Sequence, residues 1–125
     1  MNVTTIGIDL AKTVFSIHGT NQHGKVVVRK RLNRPKLLPY IAQLPPCLIG
    51  MEACSGAHHW AREMTKLGHD VRIIAPRFVA PYRKSSKNDD NDAEAICEAV
   101  GRPNMRFVPI KTEDQQAVLC LHRIR

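Results

Sequence analysis

The side chains in this chain that could do chemistry are its acids. Asp89, Asp90, Asp92, Glu94 and Glu98 fall within ten residues of a chain whose formal net charge is +8. Carboxylates gathered this closely repel one another, and a bound divalent metal is one way to offset the repulsion. On a helix from about Asp89 to Val100, a turn of roughly 100° per residue places Ala93, Ile96, Cys97 and Val100 on one apolar stripe. Asp89 and Asp92 then project toward the edge of that stripe, whereas Asp90, Glu94 and Glu98 fall on the far side. Carboxylates at the edge of a core need a cation, a donor or a water-filled cleft. A capping arrangement, with Asp89 at the N-cap and Asp92 at N3, accounts for this stretch equally well.

The remaining elements decide what these acids could meet. Val3 to Asp9, Thr13 to Gly19 and Lys25 to Leu32 read as three strands joined by connections too short for anything but antiparallel pairing. Pro35 to Leu44 has helical spacing, interrupted by Pro39. Cys47 to Glu52 and Val71 to Ala75 read as further strands, separated by a helix that Ser55 could cap and whose inner face is Ala57, Trp60, Ala61, Met64 and Leu67. Helix-linked strands pair in parallel, so the expected fold is α/β, a mixed five-stranded sheet flanked by helices. Asp9 and Glu52 each end a strand. Taken singly, Asp9 reads as a turn cap and Glu52 as a solvated terminus. If their strands are parallel neighbours, both reach the sheet edge where α/β sites gather, and Asp9, Glu52, Asp89 and Asp92 converge. Four such carboxylates suit Mg2+ or Mn2+ and phosphodiester chemistry.

With 19 Lys plus Arg against 11 Asp plus Glu, the default partner is a polyanion, although surplus basic residues also confer solubility. The stretch from Pro76 to Lys87 interleaves bases with aromatics, and Lys12, Arg77, Tyr82, Arg83, Lys84 and Lys87 are the candidate nucleic-acid contacts, with Tyr82 and Phe78 able to stack on bases. A solvated loop with its aromatics packed in the core is the other reading. The run Arg29-Lys30-Arg31, with Arg34 and Lys36, is equally open. His58 and His59 diverge on a helix and do not readily share an ion. Cys47, Cys54, Cys97 and Cys120 lack metal spacing and are expected to be buried thiols. No signal-peptide pattern or membrane-spanning run is present, so the expected location is cytoplasmic, without a membrane partner. Met105 to Ile110 is strand-like. Thr112 and Gln115 form a capping-box pair opening a helix still running at Arg125, which reads as a piece of a longer protein. The expected division is a domain over 1–110 and the start of a helical region over 111–125.

Gly7-Ile8-Asp9-Leu10-Ala11-Lys12, Met51-Glu52-Ala53-Cys54-Ser55-Gly56-Ala57-His58-His59-Trp60 and Lys87-Asn88-Asp89-Asp90-Asn91-Asp92-Ala93 through Ala99 closely resemble the N-terminal part of the DEDD insertion-sequence transposases. The resemblance runs over essentially the whole chain. It implies a ribonuclease H-like, RuvC-like fold, with Asp9, Glu52, Asp89 and Asp92 matching the family's four acids. Asp90 stands where the family often has a small or basic residue, so a pairing through Asp90 stays open. The resemblance also implies DNA as substrate, a guide RNA from the element, a homo-oligomer in full-length form, and a C-terminal domain bearing a serine. Two other classes remain: a truncated, noncatalytic nucleic-acid-binding remnant, and a phosphotransferase of the actin and sugar-kinase type. For the latter, Leu10-Ala11-Lys12 supplies little of the required phosphate turn.

Overall fold

The computed structural model describes residues 2–84 and 88–115. Three strands open the chain, β1 (Val3–Leu10), β2 (Val14–Asn21) and β3 (Val26–Asn33), and they pair antiparallel in sequence order. The turn between β2 and β3 is held by Asn21, whose Oδ1 accepts from the backbone N–H groups of His23 and Lys25. Gly24 takes a φ of 79° there, which side-chain-bearing residues resist. A 3-10 turn (Arg34–Lys36) and α1 (Leu37–Ala42) then lead to β4 (Leu48–Glu52), parallel to β1. Pro39 is tolerated because it lies in the first turn of α1, where an N–H has no intrahelical partner. Helix α2 (Ala57–Lys66) leads to β5 (Asp70–Ile74), parallel to β4.

The sheet has six strands rather than the expected five, in the order β3-β2-β1-β4-β5-β6. The added strand, β6 (Phe107–Val108), pairs antiparallel with β5 at the edge. Two residues are too few to show a period in sequence, and only the ladder marks them as sheet. The expected Ser55 cap is also absent: α2 starts after Gly56 without a side-chain cap, because the Ala57 N–H bonds the Cys54 carbonyl in a tight turn. That turn leaves Cys54 exposed, contrary to expectation, whereas Cys47 and Cys97 are buried; Cys120 lies outside the described residues. Thr112 and Gln115 do form the reciprocal capping box, each side chain accepting from the other's backbone N–H; the helix expected beyond it likewise lies outside the described residues.

Alternation gives the sheet two faces, each with its own core. Ile6, Ile8, Phe15, Ile17, Ile49 and Met51 pack with Leu37 and Ile41 of α1 and Trp60, Ala61 and Met64 of α2. The opposite face carries α3 (Pro76–Val79) and α4 (Asp89–Val100), through Ile74, Val79, Ala95, Ile96, Ala99 and Val100. Helix α4 lies flush because the strands beneath it lack side chains where it crosses. Gly7 and Gly50 face one another across β1 and β4. A Cβ on Gly7 would overlap the Ala93 carbonyl oxygen and the Cys97 amide nitrogen, and one on Gly50 would stand 2.7 Å from the Val100 Cβ.

Gly7→Ala is therefore expected to cost at least ~2 kcal/mol, and more than Gly50→Ala, because helix backbone has less freedom to yield than a valine side chain. Urea midpoints of the two variants check the order; equal midpoints would contradict this account of how α4 is seated.

Candidate metal centre

Asp9 stands near the end of β1, and Glu52 is the last residue of β4. The parallel register pairs Gly7 with Gly50 and Ile8 with Met51, so the next residues, Asp9 and Glu52, come side by side. Lying two positions past the glycines, they share the face that α4 covers.

Helix α4 brings the other acids over that edge. Its N-cap is Asn88, whose side chain accepts from the Asn91 N–H at 2.8 Å. Asp89 and Asp92 are thus not the expected caps, although both stand in the first turn, where the helix dipole favours acids. Asp92 is buried and Asp89 is exposed. Asp9, Asp89 and Asp92 each offer an oxygen, and these atoms all lie within 4.8 Å of one another. Glu52 is not in that triad. Its Oε2 is buried without a hydrogen-bond partner and lies 3.7 Å from the Arg83 guanidinium, which also donates through Nε to Asp92.

Asp90 is drawn elsewhere. The Arg31 guanidinium grips both its oxygens, at 3.2 and 3.0 Å. Arg31 first, and the Ser16 hydroxyl in addition, hold the Asp90 carboxyl below the ordinary range. The pairing through Asp90 left open by the sequence is not the arrangement seen, since the oxygens that gather with Asp9 are those of Asp89 and Asp92, and the Asp90 carboxylate turns to Arg31.

Asp9 shows the strain of the crowding. Burial first, then the charges of Asp89 and Asp92, a hydrogen bond to Asp89 and the charge of Glu52 raise its carboxyl to about 7. Such a site favours whatever positive species can enter it. Clustered carboxylate oxygens and one unsatisfied buried oxygen form a donor set that fits a hard divalent cation. Asp9, Asp89 and Asp92 could hold it, with Glu52 at the flank.

The candidate nucleic-acid residues are placed less uniformly. Lys12, Arg77 and Lys84 are exposed, and Arg77 lies over the ring of its neighbour Phe78 at 4.8 Å. Phe78 and Tyr82 are half-buried against the second core, and Arg102 covers Tyr82 at 5.5 Å. Arg83 turns inward onto the acids, and Lys87 lies outside the described residues. In the second basic run, Lys30 stacks on Tyr40 at 4.7 Å while Arg31 crosses to Asp90. His58 is buried and accepts from the Lys111 N–H at 3.1 Å, whereas His59 packs edge-on against Trp60. Ser16, Asn88 and the paired glycines escaped notice in the sequence. Glycines inside two strand patterns were the available signal of close backbone approach.

Residues 6–125 match the family of DEDD transposases of the IS110 type, described simply as transposase. The chain belongs to that family. It is 57% identical over its whole length to a probable family 20 transposase of Pseudomonas aeruginosa, and it covers 37% of that protein. Against the transposase for insertion sequence element IS1328 of Yersinia enterocolitica it is 55% identical over 99% of this chain and 37% of the relative. The transposase for IS1111A of Coxiella burnetii is 44% identical over 99% of this chain and 34% of the relative. The chain thus spans about a third of the length of these curated relatives. Its mixed sheet, with a meander followed by helix-linked parallel strands, is the ribonuclease H-like architecture of the family. No helix among the described residues is long and apolar enough to cross a membrane.

The raised carboxyl of Asp9 has a stability consequence. The folded form holds this proton more tightly than the unfolded chain, so the contribution is complete below about pH 4 and is lost as pH rises toward about 7. Asp9→Asn is expected to stabilise the metal-free chain by about 1–2 kcal/mol at pH 8, after allowance for solvent screening, and to leave it unchanged at pH 3.5. Chemical denaturation at the two pH values checks this.

Proposed function

We propose that this chain is the metal-binding catalytic part of a DNA transposase that moves an insertion sequence. The observation that carries the reading is the meeting of Asp9, Asp89 and Asp92, drawn from distant parts of the sequence, beside a Glu52 oxygen that has no hydrogen-bond partner. The family supports divalent-metal use, and Mg2+, with Mn2+ as substitute, is the ion the all-oxygen donor set favours. When bound, such a cation activates an attacking oxygen and offsets charge on the phosphodiester.

The chain's own groups do the rest. Asp92 is buried and would fix the position of the site, and Asp9, whose carboxyl is raised to about 7 by burial and by the acids around it, would give up its proton when a cation enters. Lys12, Arg77 and Lys84 carry exposed positive charge that would attract a phosphate backbone. For the whole protein the family resemblance supports DNA as substrate, a guide RNA and a homo-oligomer, with residues 1–110 as the RuvC-like domain and 111–125 opening a helical region.

In the full-length transposase, Asp9→Asn, Glu52→Gln and Asp92→Asn are each expected to lower DNA strand cleavage at least about a hundredfold, beyond what loss of an outer-sphere partner typically costs. Asp90→Asn should stay within about threefold of wild type, as an exposed pair contributes little. Cleavage of a labelled element-end duplex in Mg2+ measures this. Unchanged cleavage by the Asp9 variant would instead make the chain a noncatalytic nucleic-acid-binding module.

A further inference from the structure

Arg83 holds a place that neither its sequence context nor the metal reading explains. It follows the 3-10 turn Ala80–Tyr82 in a strap expected to face nucleic acid. Its neighbour Lys84 is exposed, yet the Arg83 side chain is only 18% exposed and lies against Asp92 and Glu52. Among the described residues it is the only cation paired with any of the four site acids.

The fit is one-sided. The guanidinium donates to Asp92 but stands 3.7 Å from Glu52, too far for a hydrogen bond, and the Glu52 oxygen remains unsatisfied. Asp9 and Asp89 receive nothing from it. One positive charge therefore faces four carboxylates and satisfies one of them. An arginine kept purely for structure normally engages its carboxylate through both arms of its fork, as Arg31 does with Asp90.

The strap supports an alternative position. Phe78, Val79 and Tyr82 anchor it to the second core, so a second position for the guanidinium would be reached through the side-chain bonds of Arg83 and not through movement of the backbone. Arg83 itself has extended backbone, φ −72° and ψ 122°, and its N–H bonds the Ala80 carbonyl. Rotation about its side-chain bonds would carry the guanidinium from the acids to the lip beside Lys84, where a phosphate can accept both arms of the fork.

We propose that Arg83 is an exchangeable counter-cation. It neutralises Asp92 and Glu52 before a divalent cation is bound, gives them up when one is, and then grips the phosphodiester backbone of the nucleic acid. This deepens the function proposed above and rests on it. The exchange makes nucleic-acid affinity dependent on metal loading, because a phosphate-binding arm is released only when the acids have another partner.

The test uses the full-length transposase, with Mn2+ binding followed by titration calorimetry and duplex binding followed by fluorescence anisotropy. Arg83→Gln is expected to tighten Mn2+ binding about five- to thirtyfold, since a competitor for the acids is removed. With Mn2+ present it should weaken duplex binding about fivefold and reduce the salt slope by about one, with no change in EDTA. Arg83→Lys, which keeps the charge but not the fork, should bind Mn2+ nearly as wild type while losing part of the duplex affinity. Weaker or unchanged Mn2+ binding by Arg83→Gln, or an equal loss of duplex affinity with and without Mn2+, would overturn the exchange alone. Failure of both wild type and variant to bind Mn2+ would overturn the metal reading and the exchange with it.

Discussion

Backbone contact between helix α4 and strand β1 is the constraint from which the candidate site follows. At Gly7 the helix approaches so closely that no side chain fits between them. Asp89 and Asp92 are therefore carried onto Asp9 by packing, whatever their mutual repulsion. The favourable term is apolar burial along Ala95, Ile96, Ala99 and Val100, which is non-directional and large. The unfavourable term is confined to the first turn of the helix, where the dipole itself partly offsets negative charge. A helix whose body is bound firmly can hold its first turn in a place that the first turn alone would avoid.

Much of this was legible in the sequence, and the parts that were not share a cause. Period-two runs and short connections identify the meander, and the acids ending β1 and β4 identify the edge they share. Parallel pairing of those strands was an inference from the helix between them, and the register of Gly7 on Gly50 bears it out. What escaped is decided by contacts rather than by periods. Two residues of β6 form sheet only because β5 offers a free edge. Asn88 rather than Asp89 caps α4, a choice of one residue that propensity does not resolve, since both are good caps. Ser55 is a good cap by type but lies inside the tight turn from Cys54 to Ala57 that precedes the helix.

The basic excess is also organised differently from what the sequence suggests. Arg31, Arg72 and Arg102 are engaged with Asp90, Asp70 and Glu98, and Arg34 lies over Phe15 and Trp60. These exposed pairs contribute little stability each, but they determine which charges stay available to a partner. Asp90 is the clearest case. Sequence alone places it among the candidate acids, and the guanidinium of Arg31, which lies opposite Ser16 in the β2–β3 ladder, draws it away from the cluster formed by Asp9, Asp89 and Asp92.

The order of the elements along the chain has a further consequence for biosynthesis. The acids of β1 and β4 emerge from the ribosome well before those of α4, so the sheet can begin to form while its edge carries only two of the charges. Crowding arises only when α4 settles over Gly7 and Gly50. A nascent polypeptide arrested before that point would have most of its sheet but only two of the four acids. The complete carboxylate cluster would then assemble only once nearly all of this region has been translated.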